Sequence, residues 1–163
     1  MNELARKLAS RLKDAHAVVV TAESCTGGWI AQELTAIAGS SAWFDRGFVT
    51  YSNEAKQEML GVRQETLSRH GAVSEETATE MARGALEKGR GTVALAVTGI
   101  AGPTGGTAAK PVGTVCFAWA TKGDAAGRRV RAETKRFAGD REAVRRQSVE
   151  HALAGMLELL DEG

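Results

Sequence analysis

Ala17-Val18-Val19-Val20-Thr21-Ala22-Glu23-Ser24-Cys25-Thr26-Gly27-Gly28 decides the fold. Its opening alanine and three valines predict a buried strand over 17–21. The glycine pair leads into Trp29 to Ala38, and the apolar spacing there predicts an amphipathic helix over 27–38. A small hydroxyl residue therefore sits where a buried strand turns into a helix. Free N–H groups and the positive end of the helix dipole converge on such a turn. That place suits an anion or a developing oxyanion. Gly27 and Gly28 let a ligand approach the backbone closely. Ser24 or Thr26 as an ordinary N-cap is the plainer reading of the same residues.

On either side the chain alternates between helical and extended patterns. Residues 2–14 predict a helix with Leu4, Ala5, Leu8 and Leu12 on one face. Ala38-Gly39-Ser40-Ser41 breaks the second helix, and Phe44 to Tyr51 predicts a second strand. A short helix capped by Asn53 runs to Leu60, and a single turn of helix covers Thr66 to His70, each ended by glycine. Ser74 caps a longer helix to Lys88. Thr92 to Val97 predicts a buried central strand, and Thr98 to Pro111 a Gly-rich loop. Val112 to Thr121 and Arg128 to Phe137 predict a hairpin through Lys122–Gly127. Asp140 caps a last helix to about Leu160. The expected fold is a single-domain layered α/β/α arrangement over 1–163, with a mixed sheet, a C-terminal β-hairpin and a long final helix.

Composition narrows the function. A chain of 163 residues with 43% apolar and 25% charged residues suits one globular domain. A net charge of +1 argues against bulk nucleic-acid binding. No apolar run approaches the ~20 residues that span a bilayer, so no membrane partner is expected. The first six residues lack the apolar core of a signal peptide, and two cysteines give no disulfide framework, so the expected location is cytoplasmic. His16, His70 and His151 fall in no ligand spacing, so neither a metal nor another cofactor is expected.

Several residues could carry chemistry. Cys25 rivals Ser24 as nucleophile, but a thiolate needs a histidine or a helix N-terminus, and only the second is at hand. Lys56 follows the second strand. If the first two strands are parallel neighbours, Lys56 and Ser24 share one sheet edge, where ligands bind in open α/β sheets. A lysine can deprotonate a serine once burial lowers its pKa; a solvated lysine on a helix face is the bland alternative. The Thr98–Gly106 loop leaves a buried strand at the same edge, where its successive N–H groups can form an anion nest. Arg141 lies in the first turn of the last helix, where a cation is unfavourable unless an anion pairs with it. Asp140 or Glu142 could be that anion.

At these residues the chain resembles the CinA C-terminal domain family. The likeness runs from about Leu4 to Leu160. It rests on Thr21–Gly28, on Gly39–Phe44 continuing through Gly47–Lys56, and on His70–Ser74, Thr98–Pro103, Lys110–Val115 and Gly139-Asp140-Arg141. The resemblance implies hydrolysis of the amide of nicotinamide mononucleotide to nicotinic acid mononucleotide and ammonia, in pyridine-nucleotide recycling. It implies Ser24 as nucleophile, Lys56 as its base and Tyr51 beside them. It also links Ser41, Thr98 and Arg141 to catalysis or the substrate, while Thr26, Gly27 and Gly28 of the first turn and Gly99 of the second loop are expected to meet the substrate through the N–H groups of those segments. Either the 99–106 loop or Arg141 is expected to hold the phosphate. The expected assembly is a homo-oligomer, a dimer. Larger relatives carry a further N-terminal domain similar to molybdopterin-binding proteins, and any pyrophosphatase activity of that domain is not expected here. Two other readings remain at this point: a non-catalytic nucleotide-binding module of competence or DNA-damage response, and an amidase for another small amide.

Overall fold

Side chains alternate across the three central strands, and the alternation separates large residues from small ones. The computed structural model describes residues 1–123 and 128–162. In β3 (Val93–Gly99) Val93, Leu95 and Val97 face one side while Ala94 and Ala96 face the other. In β4 (Thr114–Thr121) Val115, Phe117 and Trp119 share the first side, and Cys116, Ala118 and Ala120 the second. With β1 (Val19–Glu23), these strands lie buried in a five-stranded sheet of order β2-β1-β3-β4-β5. β2 (Phe44–Val49) and β3 run parallel to β1, β4 is antiparallel to β3, and β5 (Val130–Arg136) is antiparallel to β4.

Helices cover both faces. Against the large-residue face pack α1 (Asn2–Asp14), α2 (Trp29–Thr35) and the long α6 (Arg141–Glu162). Against the alanine face lies α5 (Glu75–Lys88), presenting Ala78, Ala82 and Ala85, with α3 (Asn53–Leu60) and α4 (Gln64–His70) beside it. Small residues on both partners let that layer approach closely, whereas the α6 side fills its space with bulk. The expected α/β/α layering, mixed sheet, hairpin and final helix are all present. No helix among the described residues is long and apolar enough to cross a membrane.

Element ends differ from the sequence reading for local reasons. β1 starts at Val19, not Ala17, because Ala17 N–H still donates to Leu12 O as α1 closes. The strand therefore carries Glu23 as its last residue. α2 begins at Trp29 rather than 27, since Gly27 and Gly28 take left-handed φ values of 58° and 102°. It stops at Thr35, three residues before the expected end. β2 ends at Val49, before Tyr51, although Thr50 N–H still donates to Glu23 O. Ser52, not Asn53, caps α3, accepting from Ala55 N–H at 3.0 Å. Ser74 and Asp140 cap as expected, accepting from Thr77 N–H and Ala143 N–H. β3 runs on to Gly99, so Thr98 and Gly99 belong to the ladder and not to the loop. Of the expected hairpin turn, residues 124–127 lie outside the described residues.

Candidate active site

The parallel pairing of β1 with β2 and β3 brings the ends of all three strands to one sheet edge. Ser24 N–H donates to Val97 O, so Ser24 continues the alternation of β1 one step past its end. Its side chain thus falls on the side of Val20 and Ala22, which is the side of α3. α3 is started by the Ser52 cap and stopped by Gly61 at φ 70°. Lys56 lies one turn before Leu60 on its buried face, and only 1% of its surface is exposed. Nζ sits 3.1 Å from Ser24 Oγ, 2.9 Å from Thr50 O and 3.1 Å from Tyr51 O. An ammonium donates to all three acceptors. A neutral amine keeps two N–H groups for the two carbonyls and turns its lone pair toward Ser24 Oγ. Burial pushes the Lys56 amine below the ordinary lysine range, which favours the neutral form.

Cys25, the rival nucleophile, is handled in the opposite way. It is 6% exposed, and burial pushes its thiol up to about 12. A thiol held neutral in that way is no nucleophile near pH 7. His70 Nδ1 lies 3.6 Å from Glu76 Oε2, and its ring is not among the groups around Ser24.

A cavity of about 170 Å³ opens beside the pair, lined by Ser24, Cys25, Tyr51, Lys56, Thr98 and Arg141, with Ala72, Val73, Gly99 and Ala101 as its floor and sides. A wider cleft of about 750 Å³ between α5 and the β4–β5 end, lined by Arg83, Leu86, Glu87 and Val130 among others, brings no serine and amine together. Thr98 hydroxyl donates to Ala72 O at 2.9 Å and so fixes one wall. Arg141 reaches across the mouth: Nη1 donates to Gly102 O at 2.8 Å and Nη2 to the Tyr51 hydroxyl at 3.3 Å. Neither acidic neighbour neutralises it, since Glu142 pairs with Arg146 and Asp140 caps the helix. Cys25 and Ala101 are both buried and both line the cavity, and neither N–H has an acceptor among the described residues. Buried N–H groups without acceptors are rare in proteins.

Other expected residues lie elsewhere. Thr26 is fully buried, and its hydroxyl donates to Glu23 Oε1 at 2.6 Å. Gly27 and Gly28 shape the turn but do not line the cavity. Ser41 lies in a 3-10 turn, Ser40–Ala42, that precedes β2. Since Phe44 pairs with Val19, this turn sits at the opposite edge of the sheet from Ser24. The expected free N-terminus of α2 is occupied: Glu23 Oε1 accepts from Ile30 N–H and Oε2 from Ala31 N–H, at 2.9 and 3.0 Å. Sequence reasoning missed Glu23 and also Arg145, which binds the carbonyls of Cys25 and Thr26. An acid closing an apolar strand just before a helix needs donors, and that was the available signal. Among the described residues no three His, Cys, Asp or Glu side chains gather as a metal's ligands would.

The chain is similar to several known proteins. Nicotinamide-nucleotide amidohydrolase PncC of Escherichia coli K12 is 57% identical over 152 residues, covering 93% of this chain and 89% of that protein. The PncC of Pseudomonas putida is 53% identical over 156 residues, covering 96% and 94%. The crystal structure of the competence/damage inducible protein CihA from Agrobacterium tumefaciens superposes with a TM-score of 0.91 at 50% identity, covering 98% of this chain and 94% of that one. The family described as the CinA C-terminal domain matches residues 1–160, and with the shared fold and these identities the chain belongs to that family.

Proposed function

We propose that this protein is an amidohydrolase that converts nicotinamide mononucleotide to nicotinic acid mononucleotide and ammonia, with Ser24 as nucleophile and Lys56 as its base. The observation that carries this reading is the buried Lys56 amine 3.1 Å from Ser24 Oγ, held by two backbone carbonyls. Amide hydrolysis needs a nucleophile, a base that hands its proton to the leaving nitrogen, and donors for the oxyanion. Ser24 Oγ attacks the amide carbon while Lys56 takes its proton. The N–H groups of Cys25 and Ala101 receive the developing oxyanion. Lys56 then passes the proton to the departing ammonia, leaving an ester on Ser24. A water, deprotonated by the same amine, opens that ester and restores Ser24.

The cavity is small beside the ~300–1,000 Å³ typical of drug-sized ligands. It suits the aromatic amide head, with ribose and phosphate emerging past Tyr51 and Arg141. Arg141 is the cation placed for that phosphate, and the Tyr51 hydroxyl accepts from it. Thr98 and Gly99 frame the cavity wall. The exposed Val49, which ends edge strand β2, and the exposed Tyr51 just past it support a homodimer. The proposed enzyme is cytoplasmic, serves pyridine-nucleotide recycling and binds no nucleic acid. Light scattering checks the dimer. The deciding assay measures ammonia released from nicotinamide mononucleotide, nicotinamide riboside, free nicotinamide and unrelated small amides. The mononucleotide should react fastest and need no added metal. Arg141→Ala should raise its KM by about 10–100-fold, on the scale of a lost charge-assisted pair. Absence of ammonia from every amide would remove the enzymatic reading and leave a binding module.

A further inference from the structure

The turn that carries Ser24 is gripped by α6 through a residue that, unlike Arg141 at the start of the same helix, does not line the cavity. Arg145, on α6, donates from Nε to Cys25 O at 3.1 Å and from Nη2 to Thr26 O at 3.2 Å. Its guanidinium lies over the Trp29 ring at 5.4 Å from the centroid. Trp29 is itself tied to Glu33 through its indole N–H. From within the turn Glu23 takes the Thr26 hydroxyl and the first amides of α2. Gly27 N–H donates to Ser24 O. A trans peptide points its C=O and N–H in opposite directions. The Gly27–Ser24 bond therefore turns Cys25 N–H away from the turn's interior. The Arg145 fork fixes the next two peptide planes from the α6 side.

We infer that Arg145 is a positioning residue, a two-pronged anchor on the Cys25 and Thr26 carbonyls that holds Ser24 Oγ and the Cys25 N–H in register with Lys56. This rests on the proposed serine mechanism. It assigns the arginine no contact with substrate, in contrast to Arg141, four residues earlier on the same helix. Both of its observed hydrogen bonds end on backbone carbonyls. Arginine fits because its planar fork meets two successive carbonyls at once, where a lysine ammonium meets them only as a point charge.

The test is Arg145→Met, which keeps a long stem and removes both donors. Misplacing a reacting group by about 1 Å can cost ~10²-fold in rate. The expected result is a kcat lower by about that factor with KM for nicotinamide mononucleotide within about twofold. Hydrogen exchange should accelerate in the peptide spanning 24–28 and stay unchanged in β3 and β4. Millimolar guanidinium should restore part of the lost kcat and leave the wild type unaffected. Wild-type kcat in this variant, or a loss confined to KM, would overturn the inference. Should Arg145→Met fail to fold, Arg145→Lys replaces it, with an intermediate kcat loss expected and full wild-type kcat refuting. Failure of the serine mechanism shows separately, as an active Ser24→Ala or a wild type that releases no ammonia. The exchange measurement still tests the anchor in that case.

Discussion

Two glycine-rich segments leave parallel strands at the same sheet edge, 24–28 after β1 and 100–113 after β3, and the fold treats them differently. The first is short and mostly buried; Glu23 holds its Thr26 hydroxyl, Arg145 its Cys25 and Thr26 carbonyls, and its own turn bond the Ser24 carbonyl. The second is held at its ends by Ile100 N–H to Thr114 O, Gly113 N–H to Ile100 O and Arg141 to Gly102 O, but from Pro103 through Ala109 it is exposed and fastened only near Thr107, which pairs with Lys110, whose Nζ donates to His70 O. Reacting atoms must be held to fractions of an ångström, and only the first segment is built for that. The second offers one residue, Ala101, to the cavity and otherwise shapes its rim. Glycines mark both segments. The tethers distinguish them.

The largest effect expected from breaking this contrast is at the first segment's centre. Ser24→Ala should cost ~10⁴–10⁶-fold in kcat, as removal of a nucleophile does. Cys25→Ser should keep turnover within about tenfold, because its thiol is held neutral and only its N–H serves. Thermal midpoints of both should stay near wild type, so ammonia release separates them. A dead Cys25→Ser beside an active Ser24→Ala would invert the assignment.

Lys56 comes next. Lys56→Arg retains charge but stays protonated near neutral pH, so a loss of ~10²–10⁴-fold is expected, close to that of Lys56→Met. The wild-type rate should rise with pH through the Lys56 pKa, below the ordinary value near ~10.4. Stability carries the same signature. Burial lowers the folded-state pKa, so in that window the unfolded chain binds more protons than the native one. Wild-type stability relative to Lys56→Met should therefore rise as pH climbs from the folded-state pKa to ~10.4. Denaturant titrations at several pH values read the slope, and a falling difference would contradict it.

Much of the fold was legible, because alternating periodicity and glycine punctuation agree in this chain. All six α-helices and all five strands among the described residues were anticipated, and errors fell at ends where local closure beats pattern, as at Ala17, Gly27 and Gly28. Ser24 and Lys56 were legible through the parallel-edge argument. Glu23 was not, because an acid in a strand looks exposed until its three donors are seen. Arg145 was hidden because Arg141, Arg145 and Arg146 look alike in sequence, and only the fold shows the two carbonyls of the Ser24 turn opposite Arg145. Ser41 illustrates the reverse: a motif residue can be close in sequence to a site and lie across the sheet from it.

Matched glycines test the contrast at smaller scale. Gly28 at φ 102° and Gly105 at φ 94° each have room for a methyl group, 3.5 Å from Val49 Cγ2 and Ile100 Cγ2. Alanine at either should cost stability by about 1–2 kcal/mol from backbone strain alone. Only Gly28→Ala should also lower kcat, by about tenfold or more, since it distorts the tethered turn. Equal activity losses in the two would mean that both segments position the chemistry.

The smallest effect belongs to the fastening of the outer loop. Lys110 Nζ donates to His70 O at 2.6 Å, across the end of α4, and is the side-chain tie between the loop and that helix. Its carbonyl is that of the last α4 residue, which a helix leaves without an internal partner and which water can satisfy in its place. Lys110→Met should therefore cost only about 0.5–1 kcal/mol. Because 103–109 stands outside the cavity, kcat should stay within about twofold of wild type while hydrogen exchange in 103–110 speeds up. A large kcat loss without change in KM would show that the outer loop is held for catalysis too, and the division between an anchored turn and a framing loop would fall.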